Sequence, residues 1–189
     1  MDTPLSPEER ALLLKLARDS ITSTVRGRPL PRVDLPSLPP RLREKGASFV
    51  TLTRRGALRG CIGTLQAYQP LALDVQEHAV AAATQDYRFP PVRPEELPEI
   101  EIEISRLTSP LPLEYTSPED LLRKLRPGVD GVVLSDGLRR ATFLPQVWEK
   151  LPDGAEFLNQ LCLKMGASPD LWRRKPLEVF TYQVEEFHE

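Results

Sequence analysis

Between Glu99 and Ser105 the chain alternates without a fault: Glu99, Glu101 and Glu103 take one parity, Ile100, Ile102 and Ile104 the other. A period of two with one apolar side predicts an antiparallel strand with one face on a core and one toward water. Two helices are predicted ahead of it. In the first, Leu13 or Leu14, Ala17, Ile21 and Val25 share a face. Ser6-Pro7-Glu8-Glu9 supplies its N-cap, a first-turn proline and the glutamate of a capping box, and Gly27 stops it. In the second, from Pro70-Leu71 to about Gln85, Leu71, Val75, Ala79 and Ala82 or Ala83 line one side, the alanines permitting close packing on a sheet. His78 on that helix reads as structural or solvated.

Between the helices lie two strands. Ala47 to Thr53 is rich in β-branched and aromatic residues, Arg54-Arg55-Gly56 breaks the run, and Ala57 to Leu65 follows, so that three glycines, Gly56, Gly60 and Gly63, bracket Cys61. This predicts a hairpin with a three-residue loop whose glycine takes the left-handed conformation. In that register Leu52 faces Leu58, Val50 faces Gly60, Thr51 faces Arg59 and Phe49 faces Cys61. Arg59 then shares a sheet face with the thiol. Gly60 and Gly63, inside a strand, mark close approach of a backbone or a ligand.

Elsewhere the punctuation is proline and glycine. Arg28 to Pro40 repeats proline with leucines between, predicting an extended strap with Leu30, Leu35 and Leu38 tacked to the body. Asp86-Tyr87-Arg88-Phe89-Pro90-Pro91 is a loop, since residues before proline are pushed to extended conformations. Ser117 caps a short helix to Leu125. A small β unit spans Gly131 to Leu134 and Arg140 to Leu144, turning at Ser135-Asp136-Gly137. Helical stretches follow from Pro145 to Leu151 and from Ala155 to Met165, and Leu177 to Glu186 reads as one terminal strand. Long helices, hairpins and few βαβ units give an α+β fold, a mainly antiparallel sheet with flanking helices.

The 189 residues suffice for a substantial core, and 40% hydrophobic with 28% charged residues is an ordinary globular balance. A net charge of −2 argues against a dedicated nucleic-acid binder, although Arg54, Arg55, Arg139 and Arg140 place cations in two turns. No apolar run approaches the roughly 20 residues of a membrane span, and the N-terminus lacks a signal-peptide core, so a cytoplasmic location is expected. Two cysteines 101 positions apart make neither a disulfide framework nor a zinc site. With no HxH, CxxC, HExxH or P-loop ending, no metal and no cofactor is expected.

Leu58-Arg59-Gly60-Cys61-Ile62-Gly63 resembles the signature of the AMMECR domain family, whose prokaryotic members are called AmmeMemoRadiSam system protein A. The resemblance continues through residues 79–91, Glu103-Ile104-Ser105, residues 142–148, Glu156-Phe157-Leu158 and Lys164-Met165-Gly166, nearly the whole chain. It implies two unequal lobes around a cleft, the larger from the N- and C-terminal parts and the smaller from about residues 112–170. It also implies a shared pathway with Memo-like and radical-SAM proteins as partners.

Cys61 is the candidate nucleophile, because a thiol near a cation loses its proton more easily and Arg59 is close in sequence. The alternative is a packed thiol, since free cysteine is among the most buried residue types. Arg59, Gly60, Gly63, Asp86, Arg88, Phe89 and Glu103 are the candidate ligand- or partner-binding set. Two cations and two carboxylates there serve recognition, or simply ion pairing between strands and loop. Lys164 suits a helix C-terminus without function, and Cys162 reads as core. A binding or accessory component, holding a peptide or small molecule around the signature, is expected ahead of an enzyme using Cys61 or a nucleic-acid regulator.

Overall fold

The computed structural model describes residues 3–189. They fold as helices with antiparallel pairings, an α+β protein, and divide into two units, residues 3–107 with Glu185–Glu189, and Thr108–Val184.

The first unit opens with α1 (Pro7–Val25), whose capping box is complete: Ser6 Oγ accepts from Glu9 N while Glu9 returns a bond to Ser6 N. Leu13, Ala17 and Ile21 are buried, and Gly27 ends the helix at φ +65°. The strap contains a 3-10 turn at Leu35–Ser37. Leu35 and Leu38 pack on the core while Leu30 is exposed. After a single helical turn, α2 (Pro40–Arg43), come β1 (Lys45–Arg54), β2 (Ala57–Gly63), β3 (Gln69–Pro70) and α3 (Leu71–Thr84). A 3-10 stretch (Pro94–Glu99) leads into β4 (Ile100–Leu107).

The sheet order is β2-β1-β4-β9, with β3 on β1. β1 pairs antiparallel with β4 along Ala47–Arg54. Val50, Leu52, Ile102 and Ile104 all face the core, where α3 packs on β1 and α1 on β4. Glu101 and Glu103 take the opposite face, as their alternation requires. At the start of α3, Ser48 Oγ donates to Asp74 Oδ2 (2.6 Å) and His78 Nδ1 lies 3.2 Å from the same oxygen, so His78 is buried with a partner.

The second unit holds β5 (Leu111–Pro112), α4 (Pro118–Lys124), β6 (Gly131–Ser135), β7 (Arg140–Phe143), a 3-10 stretch (Pro145–Glu149), α5 (Gly154–Lys164), α6 (Leu171–Arg174) and β8 (Glu178–Tyr182). Its sheet runs β5-β8-β6-β7. Trp148 stacks on Phe157 at 3.7 Å and donates its indole N–H to Asp130 O at 2.7 Å. Cys162 is buried in this core, as expected.

Two expectations are corrected. The stretch Leu177 to Glu186 is not one strand: β8 joins the second unit's sheet, and β9 (Val184–His188) joins the first unit's, with Gln183 alone between them. The hairpin register is also different. The loop has two residues, Arg55 (φ 53°) and Gly56 (φ 77°), both left-handed, the geometry whose twist matches the flanking strands. Arg54 therefore faces Ala57 and Thr53 faces Leu58. The register then slips, so that Leu52 faces Gly60, Thr51 faces Cys61, Val50 faces Ile62 and Phe49 faces Gly63. Arg59 is the extra residue of a β-bulge.

Candidate functional site

The bulge decides where Arg59, the one charged side chain of the signature, goes. Cys61, opposite Thr51, lies on the outward face of the sheet, half-buried, with Thr51 Oγ1 3.3 Å from its sulfur. Arg59 is not beside it there. Its guanidinium reaches the 3-10 stretch Pro94–Glu99, where Nε meets Glu96 Oε1 (2.9 Å) and Nη2 meets Glu96 Oε2 (3.0 Å). Nη1 and Nη2 also donate to the carbonyls of Pro90 (2.9 Å) and Pro91 (3.3 Å). The expectation that Arg59 flanks the thiol assumed unbroken alternation, which a bulged residue does not obey.

Asp86 and Arg88 do meet Cys61, through its backbone. β2 is the edge of its sheet, and the groups of Cys61 not used by β1 point outward. Asp86 Oδ2 accepts from Cys61 N at 2.9 Å, and Arg88 Nη2 donates to Cys61 O at 3.3 Å. The two side chains are themselves paired at both ends, Arg88 Nε to Oδ1 (2.9 Å) and Nη2 to Oδ2 (2.7 Å). The Arg88 guanidinium, with the N–H groups of Cys61 and Arg88, holds the buried Asp86 carboxyl well below the usual carboxylate range against the opposing effect of burial. Arg88 lies 5.5 Å from the Phe89 ring centroid, and Tyr87, between Asp86 and Arg88 in the chain, projects into solvent.

Glu103 stands on the outward face opposite Thr51, one strand beyond the thiol. Both glycines are sites of close approach to protein. A Cβ on Gly60 would lie 2.2 Å from the Ala82 carbonyl of α3, and one on Gly63 would lie 2.4 Å from the Phe49 ring.

Glu96 is the site residue the sequence reading missed. It is 5% exposed, and besides Arg59 it accepts from Arg54 Nη1 (3.2 Å) and Arg93 N (2.8 Å), with Arg93 Nε at 4.0 Å. The Arg59 fork, then the Arg93 N–H and the charge of Arg54, lower its pKa to about 2 despite burial. Pro94 at the head of a stretch carrying Glu95 and Glu96 was the available signal, because it fixes a turn that presents acidic N-terminal residues. Around this carboxylate Arg59, Phe89, Pro90, Pro91, Arg93 and Glu96 line a pocket of about 390 Å³.

The arginines of the hairpin turn are paired as well: Arg54 and Arg55 both bond Glu99. In the second unit Arg139 is forked on Asp136 and Arg140 lies over Phe180. Among the described residues no group of three or more His, Cys, Asp or Glu side chains is arranged to hold a metal, and no helix is long and apolar enough to cross a membrane.

The AMMECR1 family profile matches residues 14–187. A protein of Methanothermobacter thermautotrophicus is 43% identical over 189 residues, covering 98% of this chain and 97% of its own. One of Thermococcus gammatolerans is 42% identical over 188 residues, covering 94% and 88%. Among solved structures, an uncharacterized protein from Pyrococcus horikoshii superposes with a TM-score of 0.78 at 35% identity, covering 98% of this chain and 93% of that one. Matched over nearly its whole length in sequence and in fold, the chain belongs to the AMMECR1 family.

Proposed function

We propose that this protein is a binding or accessory component, acting with Memo-like and radical-SAM partners through the surface around Leu58–Gly63. One observation carries the reading: the carboxylates of Glu96 and Asp86 are closed on arginines. Arg59 is forked on Glu96, and Asp86 on Arg88 and the Cys61 backbone. Acid–base catalysis asks for a titratable group poised near working pH. Both carboxylates here are instead fixed in the charged form by their partners. Such pairs hold a rigid recognition surface, with Phe89, Pro90 and Pro91 presented on it.

Chemistry at Cys61 is the second reading, favoured by a half-exposed sulfur with a hydroxyl 3.3 Å away. The neighbour is a hydroxyl rather than a base, and His78 is committed to Asp74, so the first reading is preferred.

The test is direct association. The purified chain is immobilised and offered a Memo-like and a radical-SAM protein from one genome that also encodes a member of this family, singly and together. Saturable binding that weakens in Phe89→Ala supports the reading. Failure of both partners to bind, alone and combined, overturns it.

A further inference from the structure

The pocket beside Glu96 has more cations than anions, and one of them is at its mouth. In the linked network Arg54, Arg55, Arg59 and Arg93 share two carboxylates, Glu96 and Glu99. Counting the neighbouring Glu95 still leaves an excess of positive charge. Arg59 is used up: its side chain is 12% exposed, and its nitrogens are divided between Glu96 and two proline carbonyls. Arg93 differs. Its side chain is 77% exposed and sits 4.0 Å from a carboxylate whose oxygens already accept from Arg59, Arg54 and the Arg93 backbone. An exposed guanidinium with so weak a tie is available to a planar oxyanion, which it can hold through two N–H groups.

The rest of the wall is apolar and stiff. Phe89 is steadied by Arg88 at 5.5 Å, and Pro90 and Pro91 are tied down by the bonds from Arg59 to their carbonyls. A wall that loses little freedom on binding favours affinity for a flat apolar group. At about 390 Å³ the pocket lies near the lower end of ligand sites, which run from about 300 Å³ upward.

We infer that this pocket binds an anionic group, carboxylate or phosphate, on a body of about one aromatic ring, with Arg93 holding the anion and Phe89, Pro90 and Pro91 holding the ring. The anion can belong to a free aromatic acid or to a peptide ending in such a residue. This inference rests on the binding role proposed above and names its ligand chemistry.

The experiment titrates the whole chain with benzoate, phenyl phosphate, N-acetylphenylalanine and phenol, following calorimetric heat and thermal midpoint. At least one anion is expected to bind, with affinity about tenfold lower in Arg93→Gln and in Phe89→Ala. Phenol is expected to bind no more tightly than those variants hold the anion. Binding of N-acetylphenylalanine alone assigns a peptide source; binding of benzoate or phenyl phosphate assigns a free acid or phosphate. Arg93 is exposed, so Arg93→Gln should keep the wild-type midpoint and leave the comparison valid. Failure of all three anions to bind, anion affinity unchanged in Arg93→Gln, or phenol binding as tightly as the anions overturns the inference. Loss of anion binding with capture of the protein partners intact would sink only the ligand assignment. Anion binding without partner capture would sink only the partner reading.

Discussion

Gly60 sits under the carbonyl of Ala82, so close that a Cβ at position 60 would stand 2.2 Å from the oxygen. The obstacle is helix backbone, which cannot swing aside as a side chain can. Gly60→Ala is therefore expected to destabilise the fold by about 2 kcal/mol or more, and Gly60→Val by more still. Gly56→Ala, where a Cβ meets nothing within 4 Å but φ is +77°, should cost only about 1 kcal/mol. Chemical denaturation of the three variants orders them, and equal losses would refute the close-approach account.

Glu96 should make the protein acid-sensitive below its ordinary range. Its folded pKa is lowered to about 2 from 4.5, chiefly by Arg59. A depressed carboxylate contributes stability that is present above the unfolded value and is lost as pH falls through the folded one. Stability is thus expected to decline between pH 4.5 and about 2, and Glu96→Gln should flatten that slope. At neutral pH the same variant leaves Arg59 buried without its counter-charge and should cost about 3 kcal/mol. A slope identical to wild type would remove Glu96 as the titrating group.

Asp86 guards the open edge of the sheet at Cys61. Asp86→Ala frees the Cys61 N–H and strips Arg88 of its fork. A loss of about 2 kcal/mol is expected, together with faster hydrogen exchange at the Cys61 amide than at Gly60 or Ile62. Unchanged exchange at Cys61 would show that the cap is dispensable.

The two thiols should separate cleanly. Cys162 is buried, and burial raises its pKa, whereas Cys61 is half-buried next to Thr51. Alkylation of the folded protein is expected at Cys61 alone, with Cys162 reacting only after unfolding. Labelling of both at similar rates would contradict this arrangement.

Local rules reached most of the elements because their signals are local. The Ser6–Glu9 capping box, the alternation around Ile102 and the stop at Gly27 each depend on neighbours within one turn or one strand pair. Arg59 was misplaced because a bulge is fixed by what the strand must fit, here Gly60 beneath α3, and nothing in Leu58-Arg59-Gly60 marks which residue is extra. Glu96 was missed because its partner lies 37 positions away and its own turn has no periodicity to aim it. Asp86 and Arg88 were legible as candidates from the proline-locked loop, but their use as a cap on one peptide unit depends on β2 being an edge. At the C-terminus the alternation runs on through Gln183, so the change of sheet leaves no trace in the pattern.

That hand-over at Gln183 has a consequence for synthesis. β4 ends at Leu107, yet its neighbour β9 begins only at Val184, the last residue of the second unit. During translation one flank of β4 therefore emerges with its peptide groups unpaired and waits while the ribosome makes the whole of the intervening unit. Bare strand flanks invite pairing between nascent chains. Pauses placed after residue 107 would lengthen that exposure, and with it the time in which two nascent chains can pair at β4.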